Sequence, residues 1–296
     1  MADSSAGLLD PAMLARLRGL RLRARTAVEG YTSGVHRSPF HGFSVEFAEH
    51  RDYAPGDDPR YLDWKAFGRT DKYYLKQFEE ETNLACHLVL DTSESMRYQS
   101  PAAVGSKLDY ARRAAAALAY LILHEQDSVG LVTFDCEIRR FVRASGNPSR
   151  LNDILRVMEE SPAARKTSVG PIFHDLAERL KKRGVVIVLS DLFDEVESIL
   201  GGLKHLRHRR HEVVLMHVLD PAEVDFPFDA MTLFRGLEGR ASVLADPRAL
   251  RRAYLAEFGR YRRGLQSGCR ALGIDYVSMR TDCGLEAAIA TWVAGR

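Results

Sequence analysis

A chain of 296 residues, 46% hydrophobic and 28% charged, carries enough apolar side chains for one large core or two modest ones, which excludes a disordered or fibrous protein. Its 42 Lys and Arg against 40 Asp and Glu leave a formal charge of +2, so composition gives no general case for nucleic-acid binding. No run approaches the roughly 18 apolar residues of a membrane helix, the first residues lack the order of a secretory signal, and four widely spaced cysteines form no CxxC pair; a soluble, reducing, cytoplasmic setting is expected.

Residues 1–35 read as a basic helix and linker. Leu14, Leu17, Leu20 and Leu22 interleave with Arg16, Arg18, Arg21, Arg23 and Arg25, and Asp10 is placed to cap the helix with Pro11 in its first turn. Such a face is usually a solvated one. From 36 to 82 the chain turns β-rich: residues 44–47 and 72–78 alternate as strands, with turn signals at Pro55, Gly56, Asp58 and Pro59 between them. The charges of the intervening stretch (Asp52, Asp57, Asp58 and Asp63 among Arg51, Arg60 and Lys65) suit a self-paired network that pins this insert, or a docking surface for a partner.

Residues 83–296 alternate strands with helices. Strands are expected at 84–90, 128–134, 185–190, 213–219 and 274–279, with a short one at 137–142 antiparallel to its predecessor. Helices are expected at 107–124, 150–160, 171–183, 247–272 and 284–294. Cys86 and Cys136, in or beside apolar strands, read as structural thiols, while a Cys269–Cys283 bridge stays open. Helical crossovers between strands mean a doubly wound, mostly parallel α/β sheet with helices on both faces. Ligands of such sheets bind outside the carboxyl ends of the strands.

Three of those ends carry oxygen donors. The first strand runs into Asp91, Ser93 and Ser95; the fourth ends in Ser190 and Asp191; Thr167 and Ser168 open the loop before the helix at 171. In a parallel sheet the first and fourth strands can be neighbours, which brings Asp91 and Asp191 together. Side chains one, three and five in a loop that wraps a cation converge on one point. Carboxylates and hydroxyls without imidazole or thiolate suit Mg²⁺, Mn²⁺ or Ca²⁺ rather than Zn²⁺. Neutral serine ligands leave such a cation electrophilic toward an incoming carboxylate. The bland reading is that the serines cap the next turn.

DxSxS followed by a later Thr and a later Asp resembles the metal-ion-dependent adhesion site of von Willebrand factor type A domains. HRSPFHGF at 36–43, RDYAPGDDPRYLDW at 51–64 and LSDLF at 189–193 resemble, more specifically, the bacterial "domain of unknown function 58" family, over nearly the whole chain after residue 33. The resemblance implies a von Willebrand-like fold, no catalytic activity, and association with MoxR-type AAA+ ATPases. Carried over by position, it makes Asp91, Ser93, Ser95, Thr167 and Asp191 the metal site. Family members often have an acidic residue after the Thr, where this chain has Ser168, so either Thr167 or Ser168 fits the ligand position.

Two rival readings are weaker. A phosphatase using Asp91 as nucleophile wants a second carboxylate two residues on, where Ser93 stands. Nucleic-acid binding through residues 204–210 and the N-terminal arginines lacks interleaved aromatics. His205, His208 and His211 are spaced around a helix rather than grouped as a zinc trio. No GxSxG elbow and no P-loop are present.

Overall fold

The computed structural model describes residues 45–52, 64–70, 73–80, 84–161, 169–237, 242–285 and 289. Thr167, Ser168, the basic segment at 11–29 and most of the 51–64 stretch lie outside the described residues, as does most of the helix expected at 284–294. The described residues fall into two units, divided between Asn83 and Leu84.

In the smaller unit, β1 (Val45–Asp52) and β2 (Tyr74–Glu80) pair antiparallel, with a register shift between Phe47 and Glu49. Between them a helix, α1 (Trp64–Thr70), was not foreseen from sequence. Its Phe67 stacks on Tyr73 at 4.5 Å between ring centroids, a contact that alternation in the flanking strands does not signal.

The larger unit is a six-stranded sheet. Along the chain run β3 (Ala85–Asp91), α2 (Lys107–His124), β4 (Ser128–Phe134), β5 (Ile138–Ser145), α3 (Arg150–Glu159), α4 (Val169–Arg179), β6 (Val185–Ser190), α5 (Val196–His208) and β7 (Glu212–Leu219). A short α6 (Pro221–Asp225), a hairpin of β8 (Thr232–Phe234) and β9 (Val243–Ala245), the long α7 (Pro247–Ala271) and β10 (Asp275–Arg280) complete it. Spatial order is β10-β7-β6-β3-β4-β5, parallel throughout except for β5, which runs antiparallel to β4 as expected. The first and fourth strands of this unit, β3 and β6, are neighbours. That adjacency joins the ends that carry Asp91 and Ser190.

Period two sorts the strand residues between two cores. Cys86, Leu88 and Leu90 of β3, with Val185, Ile187 and Leu189 of β6, face α2 and α3. Val89, Val186 and Val188 point the other way, toward α4, α5 and α7. Both faces are buried, as a parallel sheet requires. On the second face α4 and α5 approach closely at Gly170 and Gly202: a methyl on Gly202 would lie 2.6 Å from Phe173 Cβ and 2.7 Å from the Gly170 carbonyl. Any side chain there would force apart the helix whose first turn sits at the sheet's carboxyl edge.

His87 of β3 is buried, and burial, seconded by His211, lowers its pKa from 6.5 to about 4. The folded state therefore prefers the neutral ring. The stabilisation is complete above about pH 6.5 and is lost as pH falls toward 4, a loss of up to roughly 3 kcal/mol. Urea titrations between these pH values are expected to give a flatter stability profile for His87→Leu than for the wild type. Equal slopes would show that the acid sensitivity lies elsewhere.

Candidate metal centre

At the end of β3 the chain leaves the strand in a way that turns alternate side chains inward. Thr92 continues the β3–β4 ladder, its N–H and hydroxyl both donating to the Phe134 carbonyl at 2.7 and 2.9 Å. Ser93 stays extended, and a 3₁₀ turn at Glu94–Arg97 then folds Ser95 back beside it. Met96, fully buried among the α2 face residues, anchors that turn. The Ser93 and Ser95 hydroxyls consequently lie 3.0 Å apart, and the Ser93 N–H donates to Asp91 Oδ1 at 2.9 Å. All three side chains are buried.

The neighbouring end of β6 completes the cluster. Ser190 donates its hydroxyl to Asp91 Oδ2 at 2.5 Å and accepts the Leu192 N–H at 2.9 Å. Leu192 adopts a left-handed conformation, φ 54°, which costs a non-glycine residue of order 1–3 kcal/mol. The bend persists because the Tyr261 hydroxyl of α7 donates to the Leu192 carbonyl and the Ser190 hydroxyl holds its amide. It fixes the direction in which Asp191 leaves the strand. Past it, Asp194 accepts the N–H groups of Val169 and Gly170 at 2.8 and 3.3 Å, capping α4. Thus Val169, the first described residue after Ser168, starts α4 against the β6 loop.

Burial, and then the charge of Asp191, raise the Asp91 pKa; the hydrogen bonds from Ser190 and Ser93 oppose them only in part. Two buried carboxylates repel one another here, so the site favours a positive charge. Part of that charge is already in the protein. Lys107, the first residue of α2, is buried and donates to Asp191 Oδ2 at 2.7 Å and to Glu223 Oε1 at 2.6 Å. Burial alone would lower the Lys107 pKa, but the charges and hydrogen bonds of Asp191 and Glu223 hold it above its usual value. Glu223 is in turn fixed by the capping box of α6, accepting the Asp220 N–H at 2.9 Å. Asp191 Oδ1 is buried and has no hydrogen-bond partner.

These residues fit a hard divalent cation. The 3.0 Å separation of the serine oxygens matches the edge of an octahedron with bonds of about 2.1 Å, roughly 3.0 Å. Asp191 Oδ1 supplies an unengaged anionic donor, and Asp91 a second carboxylate. The set holds no thiolate or imidazole, which a soft metal prefers; among the described residues no group of three His, Cys, Asp or Glu side chains is placed to hold a metal, so at this centre the hydroxyls of Ser93 and Ser95 have to make up the donor set. The His217 imidazole is not free to ligate, with Nε2 3.0 Å from the Asp191 carbonyl and Nδ1 2.6 Å from the Tyr276 hydroxyl.

Four of the five residues singled out in sequence, Asp91, Ser93, Ser95 and Asp191, lie at the adjoining ends of β3 and β6; Thr167 and its alternative Ser168 lie outside the described residues. Lys107, Ser190 as a partner of Asp91, and Glu223 were missed as members of the network. A signal existed for Lys107, which precedes Ala111 by one helical turn on the face otherwise built of Ala111, Ala115 and Leu118. The cysteines differ in part from expectation. All four are free, so Cys269 and Cys283 are not bridged, and Cys136 is exposed because it falls in the turn between β4 and β5. His205 contacts His174 and Glu178 rather than His208 or His211, and His211 lies beyond the end of α5, so the three are not on one helix.

The chain belongs to the family described as "Protein of unknown function DUF58", whose pattern matches residues 49–263. It is 28% identical over 294 residues to "Uncharacterized protein Rv1480" of Mycobacterium tuberculosis H37Rv, covering 97% of this chain and 90% of that protein. Among solved structures it is similar to the conserved hypothetical protein BatB of Bacteroides thetaiotaomicron, with 15% identity, TM-score 0.46, and 72% and 98% of the two chains covered. It is also similar to the SpRpn10 VWA domain, with 12% identity, TM-score 0.40, and 73% and 96% covered. The fold itself is a doubly wound, mostly parallel α/β sheet with helices on both faces. No helix among the described residues is long and apolar enough to cross a membrane.

Proposed function

We propose that this DUF58 protein is a non-enzymatic, metal-dependent protein-binding module of the cytoplasm, an adaptor that holds an Asp or Glu of a MoxR-type AAA+ ATPase through a divalent cation, Mg²⁺ ahead of Mn²⁺ or Ca²⁺. The observation that carries the reading is the pairing of the Ser93 and Ser95 hydroxyls at 3.0 Å at the strand end that bears Asp91, together with an Asp191 that acts electrostatically on Asp91 and keeps one buried oxygen without a hydrogen-bond partner. Hydroxyl ligands do not neutralise a cation, so an anionic ligand from a partner gains the most from it. Phe193, two residues past Asp191, is 53% exposed and offers apolar area next to the polar centre, the composition of an interface hot spot.

The phosphatase-like alternative is disfavoured by the surroundings of Asp91. Both of its oxygens accept hydrogen bonds from within the protein, and the position of a general acid is held by Ser93. The nucleic-acid alternative loses part of its basic cluster to internal pairing: Arg209 binds Glu178 at 2.6 Å.

The test is affinity capture from lysate in Mg²⁺ and in EDTA, with the captured proteins identified. Wild type is expected to retain an AAA+ ATPase in Mg²⁺ only. Ser93→Ala combined with Ser95→Ala is expected to weaken capture roughly thirty-fold or more, since loss of one partner of a desolvated charge pair costs about 2–5 kcal/mol, with an unchanged circular dichroism spectrum. Capture of equal strength in EDTA would sink the metal-dependent reading.

A further inference from the structure

Away from the metal centre, a cleft of about 260 Å³ opens between α7 and the edge strand β10, lined by Gly259, Arg262, Arg263, Gln266, Tyr276 and Ser278. Its construction follows from two periodicities. Residues 259, 262, 263 and 266 share one face of a helix, and 276 and 278 share one face of a strand. The lining contains two guanidinium groups, an amide and two hydroxyls, and no carboxylate.

The two arginines differ from others on the same helix. Arg251 pairs with Asp229 at 2.9 Å and Arg260 with Glu257 at 2.5 Å, whereas neither Arg262 nor Arg263 has an ion pair among the described residues. Arg262 lies over the Phe258 ring at 5.9 Å, yet its Nε is buried without a hydrogen-bond partner. Arg263 folds back along the helix: a methyl on Gly259 would come 3.2 Å from its Nη1, so the glycine makes room for the guanidinium. Arg262 is half-buried, and a partly buried cation without a counter-charge is costly to hold, a cost that a solution anion offsets; Arg263 is exposed and adds a second guanidinium to the same cleft.

We propose that this cleft is a binding site for a phosphate-class oxyanion, held by Arg262, Arg263, Gln266 and Ser278. Two planar donor forks, an amide and a hydroxyl offer more hydrogen bonds than the two oxygens of a carboxylate accept, and match the three or four oxygens of a phosphate group. The volume lies just under the roughly 300–1,000 Å³ of small-molecule pockets, which suits a phosphate or a small phosphate monoester better than a nucleotide. Tyr276 serves as a support rather than a ligand. His217 Nε2 carries its proton toward the Asp191 carbonyl, so the ring accepts the Tyr276 hydroxyl proton at Nδ1. That chain of hydrogen bonds runs from the cleft to the backbone of the metal centre, but the site itself does not depend on the metal reading.

Calorimetric titration of the full chain in EDTA, at fixed ionic strength, tests it with inorganic phosphate and with acetate as probes. Wild type is expected to bind phosphate saturably and acetate not at all. Arg263→Gln, a change at an exposed position, should weaken phosphate binding about tenfold, because a hydrogen bond to a charged group contributes about that factor. Arg262→Gln with Arg263→Gln should abolish it, with circular dichroism reporting the fold. Absence of saturable phosphate binding to wild type, equal binding by Arg263→Gln, or equal binding of acetate and phosphate would overturn the assignment.

Discussion

Replacing Asp91 with asparagine is expected to remove the stabilisation that Mg²⁺ confers on this protein without lowering its stability in EDTA. A cation that binds only the folded chain stabilises it by about 2.7 kcal/mol at a hundredfold excess over Kd. For a domain of this size that is a rise of roughly 5–10 °C in Tm. Asp91 contributes one of two buried carboxylates, and its negative charge is opposed by burial and by Asp191. Asparagine keeps an oxygen for the Ser93 N–H, and its amide can donate to Ser190 Oγ, so the local hydrogen bonds survive while the repulsion is relieved. The two effects thus have opposite signs in the two buffers, which separates a lost ligand from a lost fold. Thermal melts across a Mg²⁺ series, run on both proteins, check it. An equal Mg²⁺-dependent rise in wild type and Asp91→Asn would remove Asp91 from the site.

The sheet and its strand-end ligands were legible because both rest on short-range pattern. Runs such as residues 185–189 are apolar at every position, which only a strand covered on both faces tolerates, and the whole strand to Ser190 is buried. DxSxS was legible for the same reason: three residues within five, at the end of such a run. What escaped was long-range or depends on contacts with no period. The helix at Trp64–Thr70 and the β8–β9 hairpin of three-residue strands are too short for an alternation to register. The pairing of Lys107 with Asp191 spans 84 positions and that with Glu223 spans 116, so nothing local in the sequence announces either. The cleft beside α7 depends likewise on which arginines fail to find a carboxylate, which only the packed helix decides.

Lys107→Met is expected to be the most damaging single substitution at the centre, costing about 3–5 kcal/mol, because removing one partner of a buried ion pair strands the other. Here it strands Asp191 and, in part, Glu223. The Asp191 side chain is only 3% exposed, whereas Glu223 is 27% exposed and partly solvated, so most of the cost falls on Asp191. Adding Glu223→Gln to Lys107→Met should therefore recover only a minor share. Urea denaturation in EDTA reads the loss; a change within about 0.5 kcal/mol, the range of an ordinary surface substitution, would show that the ammonium is dispensable. The same measurement in Mg²⁺ carries the argument further. In wild type the ammonium occupies Asp191 Oδ2, which leaves Oδ1 as the oxygen available to a cation. Without Lys107 neither Asp191 oxygen has a hydrogen-bond partner, and a divalent ion offsets more of the buried charge than it does in wild type. Mg²⁺ should consequently stabilise Lys107→Met by a larger increment than it stabilises the wild type, although the variant starts lower. A smaller increment would mean that Lys107 does not share Asp191 with the cation but orients it as a ligand, with the fixed ammonium holding the carboxylate in place.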